Sequence, residues 1–288
     1  MKKIIIGMLS FLSITAYAQN QRFSYEYKFV IDSTEKDKVE TEIMLLNVFS
    51  KGSQFYSQAV AKTDSTMSAE ISKQVNSGST NINLKGIALG GRVRHQVEKN
   101  YPDYLVNYFI KMGGEEYMVT ESRNQDWKIL PDKEKIGELM AQKATCNFAG
   151  RSWIAWFVAE IPIQDGPYKF HGLPGLIVKI EDQTKSHSYE LKGIKKLSED
   201  TEFKSFKDKT RYNSLIALDQ KKFKKAYLDF RADPNKGARQ MASSGTVISM
   251  KDASGNPVDM SKMMKDREKK QIEVNKKNNN LLELDLLK

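Results

Sequence analysis

Through its first two hundred residues the chain returns again and again to one pattern: a short run with every second residue apolar, then a turn. In Phe23-Ser24-Tyr25-Glu26-Tyr27-Lys28-Phe29-Val30-Ile31 the odd positions are aromatic or aliphatic, while Ser24, Glu26 and Lys28 share the other face. Side chains alternate across a strand, so this run predicts a strand with one dry and one wet side. Similar runs follow at 40–50, 54–60, 103–112, 115–121, 127–130, 138–149, 151–159, 176–181 and 186–194. Between neighbours lie Ser50-Lys51-Gly52-Ser53, Gly113-Gly114, Gly150 and Asp182-Gln183-Thr184-Lys185, all turn material. Ser152–Ala159 is apolar on both faces, the pattern of a central strand covered on both sides. Hairpins in succession argue for an antiparallel sheet and against a βαβ fold.

Residues 63–90 are rich in Ser, Asn, Gly and Thr and read as an exposed connection, with Met67–Val75 a short helix capped by Asp64 or Ser65. After residue 200 the period lengthens. Leu218, Phe223, Tyr227, Leu228 and Phe230 fall near helical spacing over Leu218–Arg231, and Asp233-Pro234-Asn235-Lys236-Gly237 ends that helix. Asp259–Lys277 is a second lysine-rich helix, stopped by Asn278-Asn279-Asn280, and Leu281–Leu287 reads as a last strand. The expected fold is mainly β (α+β): an antiparallel, strongly twisted or half-barrel sheet with two or three helices from the C-terminal third. No repeat or linker interrupts residues 19–288, which are expected to form one domain.

The N-terminus reads as an address. Lys2 and Lys3 precede an apolar run from Ile4 to Ala16, and Ala16-Tyr17-Ala18 offers small residues where a signal peptidase cuts, so residues 1–18 are expected to be removed before Gln19. The run is shorter than the ~20 residues a membrane helix needs, and no other stretch approaches that length. The mature chain is therefore expected to be exported, without a membrane span. The one cysteine, Cys146, cannot form an intrachain disulfide and reads as a buried thiol. Residues 201–288 hold 20 Lys and Arg against 12 Asp and Glu, so the basic excess sits in the last third. Solvated lysine-rich helix faces account for it, and an exported protein rarely meets nucleic acid.

Proline and glycine crowd one segment. Gly166-Pro167 makes one turn, and Pro174-Gly175 fits the centre of a type II turn, with Leu173 held extended ahead of the proline. Two tight turns would hold Tyr168, Phe170 and His171 in a short, stiff loop, a preordered apolar surface that costs little entropy to present.

Gly172-Leu173-Pro174-Gly175-Leu176-Ile177 spells the motif of the GLPGLI family, which the chain resembles. The resemblance extends through Gln142-Lys143-Ala144, Gly150-Arg151, Ala155-Trp156-Phe157, Ile161-Pro162 and Gly166-Pro167-Tyr168-Lys169-Phe170. It returns in Asn279-Asn280-Leu281-Leu282-Glu283-Leu284, similar to the family's Asn-Asn-Pro-Ile-Glu-Leu ending. It implies an exported protein of Bacteroidetes-type bacteria, often found beside outer-membrane TonB-dependent transport systems. Many members carry a cysteine just before Gln-Lys-Ala, where this chain has Ala141.

No catalytic signature stands out: no Gly-x-Ser-x-Gly elbow, no phosphate loop, no thiol with a nearby base. The expected function is a non-enzymatic cell-envelope binding or accessory protein without a cofactor. Its binding residues would be Trp156, Tyr168, Phe170, His171, Leu173, Pro174 and Leu176, meeting a transport component or a hydrophobic ligand. Trp156, with Ile154 and Val158, would line a cavity on the face opposite Trp153 and Phe157. The alternative is a metal-handling protein or hydrolase using His171 and His187, which flank a predicted hairpin.

Overall fold

A computed structural model describes residues 20–79, 82–84, 86–211, 213–237, 239 and 259–288. The expected leader at 1–18 lies outside them. Twelve strands form one open sheet. They are β1 (Gln21–Val30), β2 (Val39–Phe49), β3 (Gly52–Ser57), β4 (Gln96–Asn100), β5 (Leu105–Met112), β6 (Glu115–Thr120), β7 (Lys128–Ile136), β8 (Leu139–Phe148), β9 (Arg151–Val158), β10 (Leu176–Asp182), β11 (His187–Lys196) and β12 (Ile216–Asp219). The order across the sheet is β12-β6-β5-β4-β3-β2-β1-β11-β10-β9-β8-β7. Two meanders, β1 to β6 and β7 to β11, are thus joined by antiparallel pairing of the first strand with β11 from Phe29↔His187 to Gln21↔Lys196. The sheet is mixed, because β12 pairs parallel to β6.

Alternation decides which side becomes the core. Phe23, Tyr25, Tyr27 and Phe29 are all buried on one face of β1. Phe23 pairs with Leu46, Leu46 with Phe55, Phe55 with Val97, and Val97 with Tyr108, so one apolar row crosses five strands. On this inner face lie the loop after β9, the helix α2 (Gln220–Ala232) and the chain's C-terminal segment. On the outer face residues 203–206 cross the meander: Phe203 meets Phe49 at 5.7 Å and Phe206 meets Phe109 at 5.5 Å between ring centroids.

Several expectations need correction. The run at 54–60 is strand only to Ser57, whose side chain accepts a hydrogen bond from the Val60 N–H at 3.1 Å and caps a helix, α1 (Gln58–Asn76). That helix is far longer than Met67–Val75 and begins well before Asp64. Only Val60 and Thr63 on it are buried, so it carries little apolar periodicity. Of the helices with ranges within the described residues, α1 therefore comes from the N-terminal half; α3 is Met260–Lys277. Leu218 and Asp219 belong to β12, and α2 starts at Gln220 with Asp219 as its cap. Strand β7 continues past Pro131, tolerated because β7 is an edge and its pairing slips between Ile129 and Lys133. Strand β4, Gln-Val-Glu-Lys-Asn, is polar in sequence and carries no strand alternation. Leu281–Leu287 is no strand: it lies across the inner face and ends in a 3-10 turn at Leu284–Leu287. We call residues 278–288 the C-terminal strap.

Candidate functional site

The loop after β9 folds back on the inner face as a small irregular hairpin. Leu176 N–H donates to Ile161 O at 3.0 Å, Gly172 N–H to Gln164 O at 3.0 Å, and Ile177 N–H to Asp165 O at 3.0 Å. Its tip is tighter than a type II turn: Gly175 N–H donates to the Leu173 carbonyl at 2.8 Å, a three-residue turn centred on Pro174. Gly175 passes so close to β9 that a Cβ there would lie 2.2 Å from the Val158 carbonyl oxygen.

The expected apolar surface is turned inward. Tyr168, Phe170, Leu173 and Leu176 are exposed by only 2%, 0%, 1% and 0%. Phe170 packs against Trp153 at 4.8 Å and Phe148 at 5.8 Å between centroids. His171 is half-buried and stacked on Tyr104 at 5.2 Å, and Pro174 is exposed. Trp156 faces the other side of the sheet, where the Lys179 ammonium covers its ring at 4.7 Å. The cavity described below is not on its side, so the structure does not bring Trp156 together with the loop residues.

Three buried charge clusters pin the loop and the strap. In the first, the fully buried Lys99 ammonium meets the Asp165 carboxylate, Gly166 O at 2.7 Å and Phe170 O at 3.2 Å, while Tyr101 donates to the same carboxylate. In the second, Lys169 bonds Glu121 at 2.9 Å and also Glu283. Arg123 reaches Glu121 at 2.6 Å, Glu283 at 2.8 Å and Asp285 at 2.6 Å, and Tyr168 donates to Glu283. Burial would raise the Glu121 carboxyl, but hydrogen bonds and charge from Arg123 and Lys169 hold it down at about 2. In the third, Arg151 bonds Asp182 at 2.9 Å and the Asn280 side chain at 2.6 Å. Asn280 also donates to Val30 O at 2.9 Å. The Asn-Asn and Glu of the strap are therefore its anchors. Gly150, at φ +81°, leaves room for it, since a Cβ there would lie 2.7 Å from the Asp285 nitrogen.

Between strap, α2 and sheet lies a cavity of about 640 Å³. Its walls include Tyr27, Tyr108 and Tyr168 below and Phe223, Tyr227 and Leu282 above. His95 and His187 also line it. Of the expected binding residues only Tyr168 reaches it. Tyr27 and Tyr108 were legible as inward strand positions. His95 carried no signal, because the short polar strand that follows it gives no alternation.

His171 and His187 are held by different partners. The His187 ring is taken on both sides, its Nδ1 2.7 Å from the Tyr27 hydroxyl and its Nε2 2.9 Å from Asn280 O. A carbonyl only accepts, so Nε2 carries the proton and Nδ1 accepts from Tyr27. No group of three or more His, Cys, Asp or Glu among the described residues is placed to hold a metal ion. The Cys146 thiol is pushed up to about 12, by burial first and Asp126 second.

Burial depresses all three histidines: His95 and His171 to about 4, with help from Lys169 and Lys99 respectively, and His187 to about 3, with help from Arg151. In the unfolded chain they titrate near ~6.5. Between those values the unfolded state binds more protons, so stability falls as the pH drops from about 6.5 towards 4. Glu121 acts in the same direction at lower pH, its contribution being lost as the pH falls below about 4.5. Urea unfolding at a series of pH values should show this slope. His187→Gln should remove up to one proton of it, about 1.4 kcal/mol per pH unit. An unchanged slope in that variant would show that His187 is not buried neutral.

Comparison with known proteins gives the following. None of the curated proteins compared with the chain matches it. Two solved structures of PNGF-II, in space groups P21 and C2, are similar over 72% of this chain, at 15% and 14% identity with TM-scores of 0.45 and 0.46. The chain spans about a third of PNGF-II, 33% and 32% in the two structures, and no functional reading rests on that likeness. No described helix is long and apolar enough to cross a membrane. Residues 117–179, from β6 through the loop into β10, match the model of a family described as "Protein of unknown function (Porph_ging)".

Proposed function

We propose that the protein is a non-enzymatic binding protein of the cell envelope that takes an apolar ligand in the cavity beneath its C-terminal strap. One observation carries this reading: about 640 Å³ of space with Tyr27, Tyr108, Tyr168, Phe223, Tyr227 and Leu282 on its walls, alongside charged residues such as Glu35, Lys38, Glu40 and Arg92. Small-molecule sites commonly enclose ~300–1,000 Å³ with such walls. The loop after β9 then contributes one wall residue, Tyr168, while its Gly172–Ile177 tip lies outside the cavity lining. The basic start and apolar run of residues 1–18, read as a leader cut before Gln19, support export to the periplasm or the outer membrane. The Gly172–Ile177 motif supports membership of the GLPGLI family and a place beside a TonB-dependent transport component.

The test is a titration with N-phenyl-1-naphthylamine, whose fluorescence rises in apolar sites. Wild type is expected to bind it in the micromolar range. Ile110→Trp, which puts an indole into the cavity from β5, is expected to weaken binding at least tenfold. Equal binding by the two proteins would place the ligand elsewhere and sink the reading.

A further inference from the structure

The carboxylates around the cavity already have partners, and that narrows what it can hold. Glu283 is engaged by Lys169, Arg123 and Tyr168. At the mouth Glu35 pairs with Lys38 at 2.7 Å and Glu40 with Arg92 at 2.5 Å. Asp32 accepts from Thr34 and Asn279. Lys169 lies 4.6 Å from the centre of the Tyr108 ring, but its ammonium is shared between Glu121 and Glu283. Arg94, Lys111 and Lys277 also line the cavity, and all three are exposed to solvent. By alternation Lys111 shares the outer face with Phe109, which packs on Phe206.

What the inner wall still offers is neutral. His95 Nε2 is buried without a hydrogen-bond partner among the described residues. Its ring lies against Tyr108, 5.3 Å between centroids, and Tyr108 lines the cavity beside it. A buried polar group without a partner is costly, so a ligand that reaches this corner with one hydrogen-bonding group gains from satisfying it. A full negative charge brought to the same place loses its hydration, and the buried cation beside it, Lys169, is already shared between Glu121 and Glu283.

We infer that the cavity is built for an uncharged, ring-bearing ligand whose single neutral polar group meets His95 and the Tyr108 hydroxyl. This rests on the cavity being the binding site, as proposed above. Flat rings suit the tyrosine and phenylalanine walls, which favour stacked and edge-on neighbours.

Two probes with one skeleton separate the alternatives. N-Phenyl-1-naphthylamine is neutral, and 1-anilinonaphthalene-8-sulfonate adds only a sulfonate. Wild type is expected to bind the neutral probe at least tenfold more tightly, with both signals lost in Ile110→Trp. If that variant does not fold, Leu282→Trp blocks the cavity from the strap. Binding of neither probe would overturn the cavity reading and this inference with it. Equal or tighter binding of the sulfonate, abolished by the blocking variant, would overturn the uncharged class and leave the cavity reading standing. A third probe, 6-propionyl-2-dimethylaminonaphthalene, carries one carbonyl whose hydrogen bonding shifts its emission to the red. At equal occupancy Tyr108→Phe is expected to shift the emission to the blue. An unchanged spectrum would remove Tyr108 from the polar corner.

Discussion

Lys99→Met is expected to destabilise the protein by about 3–5 kcal/mol, the usual cost of removing one partner of a buried ion pair. Lys99 and Asp165 both have side chains with 0% exposure, so the carboxylate left behind has no solvent to turn to. The lysine also satisfies the Gly166 and Phe170 carbonyls, which would be orphaned together with it. Burial works to lower the Lys99 pKa, and the Asp165 charge works against that; the pair survives in the interior because each depends on the other. The double variant with Asp165→Asn is expected to lose markedly less than the two single losses combined, since it buries no lone charge. Chemical denaturation of the four proteins measures the coupling. Strict additivity would mean that the ammonium and the carboxylate do not hold the loop together.

Gly175→Ala is expected to cost about 3 kcal/mol or more, at the upper end of overpacking changes. The reason is closeness: a methyl group there would lie 2.2 Å from Val158 O and 2.6 Å from Val158 C, both rigid backbone of a central strand. Either β9 and β10 part or the turn at Pro174 opens. Gly172→Ala is the control. Gly172 also has a positive φ, +92°, but the nearest atom to its Cβ is Trp127 Cδ1 at 4.0 Å. Only the backbone conformation resists there, so about 1 kcal/mol is expected. A domain of this size should lose roughly 2–4 °C in Tm per kcal/mol. If the two alanine variants melt alike, contact with Val158 is not what requires Gly175.

The strands were legible where alternation is strong and turns are explicit. Phe23–Ile31, the Gly113-Gly114 hairpin and the two-sided run Ser152–Ala159 all correspond to strands at nearly the expected places. Local chemistry misled where a single cap or edge position outweighed pattern. Ser57 ends β3 by capping a helix, and Pro131 sits inside a strand because that strand is an edge. The stiff Pro-Gly loop is visible in the residues, but the inward direction of Tyr168, Phe170, Leu173 and Leu176 is not. Stiffness is a local property, whereas the direction a stiff loop faces depends on what lies beneath it. Here that is Lys99, from a short polar strand without a readable period.

The sequence by itself determined the menu of strands and turns, because side-chain period and backbone restriction act between near neighbours. Tertiary structure alone decided that β1 joins the two meanders through β11, and that Asn280 and Glu283 reach back more than a hundred residues to Arg151 and Tyr168. It also decided that a cavity remains between them. Those outcomes depend on which buried charges and aromatic faces find each other once the chain is compact, and no local period encodes that.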